Sequence, residues 1–74
     1  MTYVILAAGK EIARTEDSHK AIHLAMLATK AYDESDVKVE CHGVYGDAGD
    51  KALAGKPFVY AYNWQRELAD LRGR

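Results

Sequence analysis

The stretch from Val37 to Tyr45, VKVECHGVY, constrains the fold most. It places Val37, Val39, Cys41 and Tyr45 on one side of an extended chain and Lys38, Glu40 and His42 on the other. A strand with one apolar and one wet face needs a sheet around it and a second layer over the apolar side only. The other segments must meet that demand.

The run TYVILAA at the N-terminus has apolar, β-branched character on both parities, Tyr3, Ile5 and Ala7 against Val4, Leu6 and Ala8. This pattern predicts a central strand covered on both sides. Gly9-Lys10 supplies turn chemistry and EIART follows, so residues 2 to 15 read as a β-hairpin.

Thr15 or Asp17 can cap a helix, with Glu16 and Asp17 at the positive end of its dipole, and the following SHKAIHLAMLATKAY contains no Gly or Pro. A helix is expected over about 17–32. Its buried face is expected to be Ala21, Leu24, Ala25, Ala28, Ala31 and Tyr32, small enough for close approach to a sheet. Ile22 and Met26 lie off that face and widen the apolar arc, which leaves a flank for something else to cover.

An acidic break, DESD at 33–36, precedes the alternating strand, and a glycine-containing loop at 46–56 follows it, with one helical turn expected around Lys51 to Ala54. The fourth strand is PFVYAY, led by Pro57 where a missing N–H is tolerated. Its period breaks at Asn63, a good N-cap, and Trp64, Leu68 and Leu71 recur at helical spacing up to Gly73. The expected fold is therefore α+β: a single domain over 1–74, a small ββαββ(α) sandwich. Its four-stranded sheet is antiparallel or mixed, with one long helix on one face and a short C-terminal helix possibly on the other.

Size and charge narrow the work such a chain can do. A domain of 74 residues buries only about 60% of the surface its unfolded chain exposes, so self-association or a partner would add stability. The net charge of −1 gives no field toward phosphate or anionic lipid, which disfavours nucleic acid. The apolar N-terminal run, Met1 to Gly9, is too short to span a bilayer and lacks the pattern of a secretion signal. One cysteine, Cys41, permits no internal disulfide, and a reducing, cytoplasmic setting is the expectation.

Chemical motifs are sparse. His19 and His23 have the i, i+4 spacing of a shared metal, but the helical wheel turns them away from the Ala face, and Cys41 and His42 are adjacent on a strand and so point to opposite sides. Cys41 shares the Val37/Val39 parity, which reads as core rather than nucleophile. Asp47 and Asp50 in GDAGD lack the spacing of a calcium loop, and AGK at 54–56 is not a phosphate loop. Glu16/Asp17 and Asp33/Glu34/Asp36 are explained by helix-start and turn chemistry. No metal or cofactor is implied, and an enzyme is not expected.

The aromatic residues Phe58, Tyr60, Tyr62 and Trp64 are the remaining candidates. One expectation is a protein-binding or self-pairing surface made of Tyr62, Trp64, Arg66, Ile22 and Met26, with Phe58 and Tyr60 anchored inside. The alternative is a single-stranded nucleic-acid module stacking bases on Phe58, Tyr60 and Tyr62, with Lys38 and His42 nearby. A third reading keeps the whole stripe as core, with Val59 and Ala61 on the other face. The length, the β-β-α-β-β order and the lack of a catalytic motif together resemble small phage-encoded accessory proteins, a group that includes anti-CRISPR and other host-factor inhibitors. The resemblance covers the layout of the whole chain without a shared motif, and it implies a regulator or inhibitor that docks on a larger complex.

Overall fold

The computed structural model describes residues 1–46 and 52–73. Its element order is β1 (Thr2–Ala7), β2 (Lys10–Thr15), α1 (Ser18–Ala28), a 3-10 turn at Glu34–Asp36, β3 (Val37–Val44), β4 (Pro57–Tyr62) and α2 (Trp64–Arg72). The four strands form one sheet in the order β2-β1-β3-β4, and every neighbouring pair is antiparallel. Asp47, Asp50 and Lys51 lie outside the described residues; after them, residues 52–55 form a turn closed by Lys56 N–H donating to the Leu53 carbonyl.

The first hairpin turns one residue earlier than its Gly9-Lys10 reading. Ala7 pairs with Lys10, and the two loop residues, Ala8 and Gly9, have φ of 51° and 81°. Positive φ at both positions is the primed turn that matches strand twist, so Gly9 costs nothing there while Ala8 is strained. Farther along, the register shifts between Ile5 and Leu6, leaving Ile12 as the extra residue of a bulge in β2.

Asp17 caps α1, accepting backbone hydrogen bonds from His19 and Lys20 at 2.8 and 3.1 Å. The helix ends at Ala28 and not at Tyr32. Thr29 turns its hydroxyl back onto the Met26 carbonyl at 2.6 Å, and Lys30 and Ala31 bond three residues back in a tightening turn. The shortened helix buries Ala21, Ile22, Ala25 and Ala28, whereas Ala31 and Tyr32 are exposed. Ile22, expected on an open flank, is a core residue at 4% exposure.

Both helices lie on the same face of the sheet. Ile5, Val37, Val39, the α1 residues and Trp64 form one buried cluster, with Tyr3, Ala13, Leu24, Met26, Tyr62 and Leu68 packed around it. Among the described residues, the second face carries no helix. Val4 is nevertheless buried there, because its cross-strand neighbours are Arg14 and Glu40, whose long stems flank it in place of a second layer. Glu11 accepts two hydrogen bonds from Arg14 on this side. Among the described residues, no helix is long and apolar enough to cross a membrane.

Three substitutions test this account. Ala8→Asn relieves the strained turn and should raise stability by roughly 0.5–1 kcal/mol in chemical denaturation, whereas Ala8→Val should lower it. Asp17 provides a pH test: its backbone hydrogen bonds hold its carboxyl below the ordinary value of 3.8. The stabilisation is present above that value and lost as pH falls through the depressed one. Asp17→Asn keeps an acceptor without a titrating charge, so its melting temperature should fall less between pH 5 and pH 2 than that of the parent, by about the share of acid loss that Asp17 contributes.

Candidate docking surface

The aromatic face is built by the way β4 runs past the rest of the sheet. In β3, Cys41 pairs with Tyr60, Val39 with Tyr62 and Gly43 with Phe58, so all three aromatic residues of β4 take the helix-bearing side, and Val59 and Ala61 take the other. The helices cover only part of that side. β1 pairs with β3 from Val37 to His42, and beyond His42 the β3–β4 hairpin continues as a two-stranded ribbon, still joined at Tyr45 N–H to the Lys56 carbonyl.

The two ends of the aromatic stripe consequently have opposite fates, and the expected order is reversed. Trp64 is buried at 2% exposure and donates its indole N–H to the Val37 carbonyl at 3.1 Å. Tyr62 is half-buried and meets Tyr3 edge to face, with ring centroids 5.2 Å apart. Burial raises the pKa of both phenols, as expected where they close the rim of the core. Trp64 and Ile22 are therefore unavailable to a partner, and Met26 and Tyr62 are partly committed to packing. Of the residues expected to bind a partner, only Arg66 is fully exposed, on α2.

Phe58 and Tyr60, the pair expected to be anchored, stand outside helix cover. Tyr45 joins them: Tyr45 and Phe58 meet edge to face at 5.1 Å, and Phe58 stacks with Tyr60 at 5.8 Å. Tyr45 and Tyr60 are 43% and 47% exposed. Together with Val59 they line a concavity of about 270 Å³ along the outer edge of β4. Gly43 makes the arrangement possible, since a Cβ there would come within 2.6 Å of the Phe58 ring. Without one, the ring lies flat across β3. Tyr60 leans on Cys41, and hydrogen bonding to that sulfur is the main reason its phenol is held above the usual range.

The nucleic-acid set is divided by the sheet itself. Lys38 and His42 project from the opposite face to Phe58, Tyr60 and Tyr62, and His42 sits 3.3 Å from Glu40. His19 and His23 are exposed on α1, while Cys41 is fully buried with its thiol 3.4 Å from the Met1 sulfur. Among the described residues, no three His, Cys, Asp or Glu side chains are gathered for a metal ion. Tyr45 and Gly43 are what the sequence reading missed; their signal is the parity that continues Cys41, Gly43, Tyr45 opposite Phe58.

Gly43→Ala should push the Phe58 ring outward and break the Tyr45–Phe58–Tyr60 chain. The half-exposed ring can swing away, so the stability loss should stay within roughly 1–2 kcal/mol. The diagnostic is NMR: an upfield, ring-current-shifted Gly43 Hα in the parent, and loss of the Phe58-dependent shifts in the variant. In comparisons with known proteins, the chain matches no family model, no curated protein and no solved structure.

Proposed function

We propose that this chain is a small, non-catalytic protein-interaction module that docks on a larger macromolecule through the Tyr45–Phe58–Tyr60 ribbon and regulates or inhibits it by occupying its surface. One observation carries the reading: three aromatic rings, Tyr45 against Phe58 and Phe58 against Tyr60, lie on the part of the helix-bearing sheet face that the protein's own helices leave uncovered. Aromatic residues dominate the energetic centres of interfaces, and rings already held against each other lose little freedom on binding. No charged side chain lies between Lys56 and Arg66, so the patch resembles the dry centre of an interface.

Exposed stacked rings also favour the second reading, a base-stacking platform, and the two readings separate in one experiment. A photo-crosslinking amino acid at position 60 should give protein adducts in cells, and the same probe at His19, on the far side of α1, should not. Tyr60→Ala should reduce adduct formation from a probe at position 45 by about tenfold or more, with little change in melting temperature because Tyr60 is half exposed. Oligonucleotide adducts at position 60, or a mobility shift with single-stranded DNA at low salt that fades as salt rises, would support base stacking instead.

A further inference from the structure

The two edges of the sheet are guarded very differently. The β2 edge carries Lys10 and the Glu11–Arg14 ion pair, and a bulge interrupts its register. Those are the features that keep an edge strand from pairing with another chain. The β4 edge has neither: Pro57 to Tyr62 is uncharged and its register with β3 runs without interruption. Tyr45 N–H points at β4, and alternation along the ladder directs Gly43, Cys41 and Val39 the same way, toward Phe58, Tyr60 and Tyr62. The N–H and C=O groups of Val59 and Ala61 therefore point outward, and the missing N–H of Pro57 falls on this outer side.

We propose that β4 pairs antiparallel with β4 of a second copy of this chain, about a two-fold axis at Tyr60, joining two sheets into one of eight strands. This register is self-complementary. Val59 faces the second copy's Ala61 and Ala61 its Val59, which gives four backbone hydrogen bonds and requires none from Pro57. Phe58 faces Tyr62 of the other copy and Tyr60 faces Tyr60, so aromatic residues meet aromatic residues on one side and small apolar residues meet on the other. No like charges oppose each other across the seam.

Charge and register favour a second copy as the occupant, since the seam brings together uncharged residues that match one another. The pairing stands on edge geometry and needs no outside partner; it goes beyond the docking reading by placing the two aromatic ribbons side by side.

Light scattering during gel filtration should give about twice the 8.2 kDa chain mass at 100 μM protein. Amide exchange at Val59 and Ala61 should be slow at that concentration and accelerate at least tenfold on dilution to monomer. Val59→Lys introduces repelling charges at the seam, and Ala61→Pro removes two of the four bonds without touching the β3 ladder. Either variant, with circular dichroism unchanged, should return the monomer mass. If Ala61→Pro fails to fold, Val59→Lys alone decides. A monomer mass for the parent at 100 μM, fast exchange at both amides, or a dimer indifferent to Val59→Lys would overturn the proposal. Tyr60 faces Tyr60 across the seam, so an adduct from position 60 between two copies of this chain reports the pairing, whereas only an adduct with a different protein reports the docking reading; the two can fail or succeed separately.

Discussion

The hydrogen bond from the Trp64 indole to the Val37 carbonyl organises the molecule. Val37 begins β3, and by ladder alternation its carbonyl points toward the place where β4 would lie if it continued. The chain has already turned into α2 at Asn63, whose side chain caps the helix by accepting the Arg66 N–H. The indole N–H takes the vacated ladder position. A buried carbonyl left unpaired there would cost roughly 1–3 kcal/mol, and the ring fills the corner between sheet and helix.

That corner determines what β4 can do. Its C-terminal end, at Tyr62, is drawn beneath the helices, and the opposite end runs past β1 into open space. A single strand thus carries core and surface aromatic residues on the same side. Their difference is one of position along the strand and not of facing. The same geometry exposes the backbone of Val59 and Ala61, and the absence of a helix on the second sheet face leaves Val59 and Val44 open as well.

Local pattern revealed most of the architecture. Alternation in VKVECHGVY, the uninterrupted run after Asp17 and the change of period at Asn63 were each sufficient to identify their elements. What escaped was one local bond and two long-range arrangements. Nothing near Thr29 signals a helix end, because a hydroxyl bonding back to Met26 replaces the usual Gly or Pro. Both-parity hydrophobicity in β1 suggested two covering layers, yet Val4 is sheltered by Arg14 and Glu40, residues far from it in sequence. The aromatic stripe was legible as a stripe, but which end is covered depends on where β1 stops against β3, a register that no single segment encodes.

Trp64 is a structural anchor and not part of the exposed surface. It is the only tryptophan in the chain, so its fluorescence reports on that position alone. Emission should be blue-shifted relative to free tryptophan, and acrylamide and iodide should quench it several-fold less efficiently than in the urea-unfolded chain. Red-shifted emission with quenching equal to that of the unfolded chain would place Trp64 in solvent and contradict the account.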